Sequence, residues 1–299
     1  MTRRGFIKSL LGISLAGFFV AVWSFWITPA WRLRVQHWKI QTPKWTTAPL
    51  KIAVLSDIHM GEPHITLARL HDVVTRTNAL NPDLILLLGD FAASHQFVTK
   101  PVPPDQYAAV LSELKAPLGV LSILGNHDYW EDQDAQRRKS GPVQSQRALE
   151  AVGIPVLENQ SVALERDGDR FWIAGLGDQL AFRKPGKMHE TPFAGVDDLP
   201  GTLAQIDDIA PVILAAHEPD IFPEVPGSVA LTLSGHTHGG QLRFFGWSPR
   251  VPSRYGNRYA YGHVHEDGKD IVISGGIGCS ILPVRLGVPP EITLVDITA

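Results

Sequence analysis

Polar side chains of the types that bind metal ions follow a series of apolar segments in this chain. They occur in the order Asp57 and His59 in SDIH, Asp90 in GD, Asn126, His127 and Asp128 in GNHD, His217 in AAH, and His236 and His238 in GHTH. Carboxylate oxygens and imidazole nitrogens suit divalent Zn, Mn or Fe. Cys279 is the only cysteine, so a thiolate zinc site and an intrachain disulfide are both excluded.

The H-x-H spacing is unspecific by itself. His263 and His265 have the same spacing in YGHVHEDGKD, a polar, hairpin-like context that indicates a solvated strand. A lone Asp at the end of a strand is more often a turn former or a helix cap. The order of the blocks, each directly after an apolar segment, is what favours one shared site.

The secondary-structure elements that must position these groups indicate an α/β fold. The runs KIAVLSD, DLILLLGD, GVLSILGN and PVILAAH are short and apolar, and several are separated by amphipathic segments such as 65–80 and 143–152. Less helix separates the later runs, which favours two sheets with helices outside over a single Rossmann sheet. Ligands of open α/β sheets bind beyond the carboxyl ends of the strands, so residues distant in sequence can meet there.

The number of potential ligands indicates more than one ion. Two aspartates, four histidines and one asparagine amide exceed what a single four- to six-coordinate ion with an open position needs. These seven potential ligands divide most simply between two divalent ions that share a bridging carboxylate. Such a pair, about 3.5–4 Å apart, can activate water as a nucleophile.

The blocks DIH, GD, GNHD, H and GHTH resemble the signature of the calcineurin-like metallophosphoesterases, from about Lys51 to the C-terminus. GHTHGGQ and the ending GIGCSILPVRLGVPPEI resemble the exported, membrane-associated bacterial phosphodiesterases of that family. The resemblance implies a four-layer α-β-β-α sandwich of two mixed sheets flanked by helices. It also implies a dinuclear hydrolase of phosphoesters.

The resemblance implies a role for each matching residue. It assigns Asp57, His59 and His238 to one metal, Asn126, His217 and His236 to the other, and Asp90 to both. His127 would be a nearby histidine that is not a ligand, acting as general acid or stabilising developing charge, with Asp128 orienting its ring. Arg285 is the candidate contact for the substrate phosphate, because a guanidinium fork suits phosphate. A surface salt bridge is the alternative for Arg285.

The N-terminal segment has the features of a membrane anchor. No charged residue occurs from Ser9 to Trp31, which is long enough to cross the hydrocarbon core, and Arg3, Arg4 and Lys8 precede it. TRRGFIK at Thr2–Lys8 resembles a twin-arginine export signal, which predicts a bacterial envelope protein with its catalytic domain outside the cytoplasm. We expect the helix to be retained, and divide the chain into an anchor (1–31), a linker (32–49) and a catalytic domain (50–299).

The charge, the anchor and a predicted flap indicate the class of substrate. A net charge of −3 argues against a nucleic-acid partner. The anchor, and a flap predicted over 179–198, favour a lipid-linked or envelope phosphodiester: a phospholipid head group, a nucleotide-linked lipid such as UDP-2,3-diacylglucosamine, or a cell-wall polymer. A phosphomonoesterase or nuclease of the same fold, and a non-catalytic metal-binding protein, are the alternatives.

Overall fold

The computed structural model describes residues 2–93, 95–184 and 193–299, so the central part of the predicted flap lies outside the described residues. The strands are β1 (Arg34–Gln41), β2 (Leu50–Leu55), β3 (Gly61–Glu62), β4 (Leu84–Leu88), β5 (Lys100–Pro101), β6 (Val120–Ile123), β7 (Gln160–Arg166), β8 (Asp169–Gly175), β9 (Phe182–Arg183), β10 (Phe193–Ala194), β11 (Val212–Ala215), β12 (Leu231–Ser234), β13 (Gly262–Glu266), β14 (Lys269–Ile273) and β15 (Glu291–Thr298). The α-helices are α1 (Arg3–Val22), α2 (Thr28–Trp31), α3 (Leu67–Ala79), α4 (Pro104–Leu111), α5 (Asn126–Trp130), α6 (Gln133–Arg138), α7 (Gln144–Ala151) and α8 (Leu199–Leu203).

Two mixed sheets carry the fold. The first has the order β1-β15-β2-β4-β6 and the second β13-β14-β12-β11-β8-β7. In the first, β2, β4 and β6 are parallel, and β15 runs antiparallel to β2. In the second, β14, β12, β11 and β8 are parallel, with antiparallel β13 and β7 at the edges. The predicted class, α/β with two mixed sheets flanked by helices, is confirmed.

The sheets pack face to face because their central strands are apolar on both faces. Every residue of β4, LILLL, is buried, as expected for parallel strands covered on both sides. The core between the sheets joins Val54 and Leu86 of the first to Ile213 and Leu231 of the second. Helices α3, α4 and α7 cover the outer face of the first sheet. A thinner layer, α8 and the 3₁₀ turn Pro219–Glu224, covers the second.

The prediction of a linker over 32–49 is wrong. Strand β1 lies in this segment and pairs in parallel with β15 along its whole length, from Arg34 opposite Glu291 to Gln41 opposite Thr298. Trp45, in the same segment, is fully buried and packs on Phe171 with ring centroids 5.3 Å apart. The inward-facing side of β1 includes Arg34 and Gln36, so the strand lacks the apolar alternation that would have revealed it.

The N-terminal helix continues from α1 through a π-helical turn, Trp23–Ile27, into α2. Residues Arg3–Trp31 form the one helix, among the described residues, that is long and apolar enough to cross a membrane. Side chains of α1 are largely exposed, whereas Ser24, Thr28 and Pro29 are buried against the body. The backbone N–H of Arg285 donates to the carbonyl of Ser24 (2.9 Å). The end of the helix is therefore docked on the body.

Replacing Trp45 by Ala tests whether its segment belongs to the folded core. We expect the free energy of unfolding to fall by about 3–5 kcal/mol, because the substitution empties a buried aromatic site. Denaturant unfolding of the full chain in a mild detergent measures the loss. Trp31→Ala, at a largely exposed position, is the control and should change stability by no more than about 0.5 kcal/mol. A loss below about 1 kcal/mol for Trp45→Ala would show that this segment contributes little to the core.

Candidate metal centre

The carboxyl ends of five strands meet at one edge of the two sheets. Asp57 and His59 follow β2, Asp90 follows β4, Asn126 follows β6, His217 follows β11, and His236 and His238 follow β12. Each connection is short, so each side chain stays close to the end of its strand. The structure brings all seven of these residues together, as the following contacts show.

One group consists of Asp57, His59 and His238, all buried. His238 Nε2 lies 3.5 Å from Asp57 Oδ1 and 3.1 Å from His59 Nε2. The two imidazole rings are stacked with centroids 5.0 Å apart. These donor atoms surround one point, which is the arrangement that a single bound cation requires.

A second group consists of Asp90, His217 and His236, with Asn126 beside them. His217 Nε2 lies 3.2 Å from Asp90 Oδ2. His236 Nδ1 lies 2.9 Å from Asn126 Oδ1. The two histidines of the GHTH block thus enter different groups.

Asp90 connects the two groups through a single oxygen. Its Oδ2 is 3.2 Å from His217 Nε2 in the second group and 3.6 Å from His59 Nε2 in the first. Its other oxygen, Oδ1, accepts a hydrogen bond from the backbone N–H of His127 (2.8 Å). The carboxylate is therefore held in place from behind while Oδ2 faces both groups.

Backbone hydrogen bonds set the tautomers of two of these histidines. His59 Nδ1 donates to the carbonyl of Ala92 (2.9 Å), and His217 Nδ1 donates to that of Leu88 (2.6 Å). In each neutral ring the lone pair is then on Nε2 and points at Asp90 Oδ2. Two lone pairs facing a carboxylate oxygen need a proton or a metal ion between them, and metal-binding histidines are commonly oriented by such hydrogen bonds. The residues present fit a pair of divalent cations.

The pKa values in the site reflect burial and the neighbouring charges. Burial raises the pKa of Asp57 to about 6 and lowers that of His59 to about 3. Burial also opposes charging of His217, but the carboxylates of Asp90, Glu218 and Asp57 outweigh it and hold its pKa well above the usual range. Around His217 the carboxylates therefore favour positive charge.

Tight backbone turns aim the ligands inward. Five of the seven residues have positive φ: Asp57 (54°), His59 (48°), Asp90 (57°), His236 (66°) and His238 (51°). Such conformations cost about 1–3 kcal/mol each and persist only where the surrounding structure imposes them. At Gly125 a Cβ would lie 2.4 Å from Asp90 Oδ1, so only glycine lets the loop after β6 approach Asp90 this closely.

Arg285 does not occupy the predicted position. Its side chain is fully buried, and its guanidinium donates to the carbonyls of Gly275 (2.6 Å) and Gly278 (3.1 Å from Nε). Nη2 lies 2.9 Å from His238 Nδ1, which must accept because a guanidinium only donates. The prediction of a phosphate contact is wrong, since the donors are already used. Arg285 instead orients His238, and burial together with the Arg285 charge holds the pKa of His238 well below its usual range.

That contact also bears on how His238 would bind a metal. With Nδ1 accepting, a neutral His238 ring carries its proton on Nε2 and can donate it to His59 Nε2, 3.1 Å away. A cation held by both rings would displace this proton. The adjacent Arg285 guanidinium would balance the negative charge then left on the His238 ring. Metal binding that releases protons is general for histidine sites.

Asp128 has a different role from the predicted one. Its carboxylate accepts from the backbone N–H groups of Asp90 (2.9 Å), Phe91 (3.0 Å) and Gly125 (3.0 Å), and from Ser145 Oγ (2.9 Å). It therefore holds the loops after β4 and β6 together and does not orient the His127 ring. Sequence proximity suggested His127, but α5 turns the two side chains in different directions.

His127 lies in the lining of a cleft beside the two groups. Its ring packs edge-on against His59 (5.1 Å) and Trp130 (4.8 Å), and its Nε2 is 3.5 Å from Ser280 Oγ. Its Nδ1 is 3.8 Å from Glu131 Oε1. The ring borders a cleft of about 460 Å³ whose polar floor includes Asp90, Asn126, His236 and His238.

Two buried carboxylates near the second group were missed by the sequence analysis. Asp178 and Glu218 each have an oxygen close to His217. Glu218 Oε1 is 4.0 Å from His236 Nδ1, and burial followed by the Glu218 charge raises the pKa of Asp178 well above its usual range. A signal was present, because Asp178 ends the apolar run FWIAGLGD and Glu218 directly follows His217.

The chain is similar in sequence to known proteins over most of its length. The family model described as calcineurin-like phosphoesterase matches residues 50–240. The metallophosphoesterase YkuE of Bacillus subtilis (strain 168) is 31% identical over 309 residues, 98% of this chain and 96% of the relative. The phosphodiesterase YaeI of Escherichia coli (strain K12) is 28% identical over 280 residues, 90% of this chain and 89% of the relative.

A transmembrane protein with a metallophosphoesterase domain from Danio rerio is 31% identical over 200 residues, 64% of this chain and 41% of the relative. The family model and YkuE each cover well over half of the chain, and the residues of the metal-binding groups lie within the range that the family model matches. The chain belongs to the calcineurin-like phosphoesterase family and is a metal-dependent phosphoesterase.

Proposed function

We propose that this protein is a membrane-anchored phosphodiesterase with two divalent metal ions, Mn, Zn or Fe, acting on a lipid-linked or envelope phosphoester. The observation that carries the dinuclear site is Asp90 Oδ2, which lies within 3.6 Å of an imidazole nitrogen of each group. Asp57, His59 and His238 would hold one ion, Asn126, His217 and His236 the other, and Asp90 both. Metal ions at such positions supply a nucleophile from water at neutral pH and neutralise phosphoryl charge.

The residues around the metal-binding groups have separable tasks. His127, at the edge of the cleft, is placed to give a proton to the leaving oxygen. Asp128 fixes the two loops that carry Asp90 and Asn126. Glu218 adds negative charge beside His217 and His236, which strengthens cation binding at the second group.

The walls of the cleft support an amphiphilic substrate. Trp130, Leu242, Val251, Ile281 and Leu282 form much of the lining above the polar floor. Arg250, also in the lining, is exposed and can approach a phosphate or another anionic group. A diester with one apolar substituent would match this division of polar floor and apolar wall.

Anchoring is supported by the helix Arg3–Trp31 and by the likeness to the transmembrane protein of Danio rerio. The sequence TRRGFIK supports export by the twin-arginine machinery, with the catalytic domain on the extracytoplasmic side. The name of YaeI supports the choice of a phosphodiesterase.

Asp90→Asn tests the shared carboxylate. We expect the rate on bis(p-nitrophenyl) phosphate to fall at least about a thousandfold, because several kcal/mol of transition-state stabilisation depend on the ions that Asp90 would share. Elemental analysis of the purified full chain in detergent should show reduced metal content. Asp270→Asn is the matched control, since Asp270 pairs with His263 (2.8 Å) and His265 (2.9 Å) of the other H-x-H sequence. Full rate and metal content in Asp90→Asn would disprove the assignment.

Metal removal tests the stoichiometry. Treatment of the full chain with a chelator should abolish hydrolysis of bis(p-nitrophenyl) phosphate. Titration with Mn, Zn or Fe should restore the rate as the bound metal approaches two ions per chain, because each group supplies ligands for one ion. Activity that persists in the metal-free chain, or that is complete with one ion bound, would contradict a dinuclear mechanism.

His127→Gln tests proton donation. We expect the rate on a diester with an alkyl leaving group to fall about 10²–10⁴-fold, because an alkoxide needs a proton as it departs. The loss on bis(p-nitrophenyl) phosphate should be much smaller, because p-nitrophenolate departs without one. Parallel measurements of kcat on the two esters give the comparison. An equal loss on both would show that His127 acts in binding or positioning and does not donate the proton.

A further inference from the structure

The turn between Phe244 and Trp247 exposes aromatic side chains that neither the core nor the turn itself explains. The backbone N–H groups of Phe244 and Trp247 each donate to the other's carbonyl, 2.7 and 3.0 Å, which closes a two-residue hairpin turn. Phe245 occupies its first central position with φ 50°, where Asn, Asp or Gly is usual. Its side chain is 110% exposed. The exposure of this large apolar side chain is unfavourable in water, which points to a partner outside the body.

Ile281 and Leu282 extend this apolar surface to the metal cleft. Both are exposed, and both line the cleft. We call Phe244, Phe245, Trp247, Ile281 and Leu282 the apolar rim. Its two parts are held together by the side chain of Gln241, whose Nε2 donates to the carbonyl of Leu282 (2.9 Å) and whose Oε1 accepts from the backbone of Ser280 (2.6 Å).

The apolar rim is continuous with the docked end of the N-terminal helix. Arg285 N–H donates to the carbonyl of Ser24, and Leu286 N–H donates to that of Gln241 (2.9 Å). Arg243 N–H in turn donates to the carbonyl of Leu286 (2.8 Å). The segment 284–286 is thus inserted between the helix and the segment that leads into the aromatic turn. Two spacings between hydrogen-bonded backbone segments, from the helix to 284–286 and from there to 241–243, separate the helix from the lead-in to the aromatic turn by about 10 Å.

The length of the helix indicates where this contact lies relative to a bilayer. Helix α1 has 20 residues and therefore rises about 30 Å, the thickness of the hydrocarbon core. Trp23, Phe25 and Trp26 follow it and are exposed, as interfacial aromatic residues are. If Arg3 lies at one boundary, Ser24 lies at the other. The body segment bonded to Ser24 is then at the membrane surface.

We propose that the apolar rim is a second membrane contact, which seats the mouth of the metal cleft on the lipid surface. Aromatic and aliphatic side chains at this level enter the headgroup region, and exposed Arg32 and Arg250 complement anionic headgroups. Because Ile281 and Leu282 belong to both the rim and the cleft, an ester held in the bilayer reaches the metal centre without losing apolar contact. The inference rests on the proposed anchoring and deepens the proposed substrate class to amphiphiles taken from the membrane.

Site-directed labelling measures the contact independently of activity. Phe245→Cys in the full chain is labelled with the fluorophore NBD, which is selective because the native Cys279 is buried. The protein is placed in nanodiscs of phosphatidylethanolamine and phosphatidylglycerol containing lipids spin-labelled near the headgroup. We expect NBD at position 245 to be quenched severalfold more strongly than at Ile209→Cys. Ile209 is an equally exposed apolar residue (103%) before β11, whereas the metal-site residue His217 follows that strand.

Equal quenching at positions 245 and 209 would overturn the proposal. A blue shift at position 245 without quenching by the spin-labelled lipid would also overturn it, because the partner would then be protein and not lipid. Neither outcome depends on catalysis, so this measurement stands even if the proposed function fails.

Kinetics test the consequence for substrate access. In the combined variant F244S/F245S/W247S, we expect hydrolysis of a dioleoylglycerol p-nitrophenyl phosphodiester in nanodiscs to fall about tenfold, because three interfacial aromatic anchors are lost. Hydrolysis of soluble bis(p-nitrophenyl) phosphate should remain unchanged, because these residues lie outside the cleft lining. I209S is the control. Equal loss on both esters, or none on either, would contradict the inference, whereas a wild-type protein inactive on both would disprove the proposed function.

Discussion

The contact of Asp90 Oδ2 with the imidazole nitrogens of His59 and His217 is the constraint on which the rest of the centre depends. Backbone carbonyls fix the tautomer of both rings, so each ring directs a lone pair at the same carboxylate oxygen. With both rings neutral, this arrangement is stable only with a proton or a metal ion between the rings and the carboxylate. The fold therefore has to hold several groups that repel one another in the absence of a cation, and much of the local structure performs that task.

Asp128, Arg285 and the backbone turns provide this restraint. Asp128 joins the loops after β4 and β6 by accepting their N–H groups, and Arg285 joins the GHTH turn to the segment 275–278. Both side chains are buried charges, which are retained where hydrogen bonds satisfy them. With the loops joined in this way, the left-handed residues at the strand ends cannot relax to more favourable φ values. The metal-binding side chains are thus held rigid by the hydrogen bonds of Asp128 and Arg285. The two apolar sheets hold the strand ends from which those side chains extend.

The centre lies at the same end of the molecule as the docked part of the N-terminal helix. Arg285 links them directly, because its guanidinium contacts His238 while its backbone N–H bonds Ser24. The segment 280–286 consequently borders the helix, the cleft and the aromatic turn at once. Under the proposed function, this single segment relates the orientation of the protein on a membrane to access to its metal centre.

The sequence by itself determined the fold class and pointed to the strand-end residues that the structure brings together, because buried parallel strands leave continuous apolar runs and the polar residues after them stand out. It did not reveal β1, whose inward face carries Arg34 and Gln36, or the group formed by Asp178 and Glu218. It also misassigned Arg285 and Asp128, since residue type indicates what a side chain can bind but not which partner it meets. Those partners were decided only by tertiary structure, in which turns, burial and contacts between residues far apart in the chain determine the direction of each side chain.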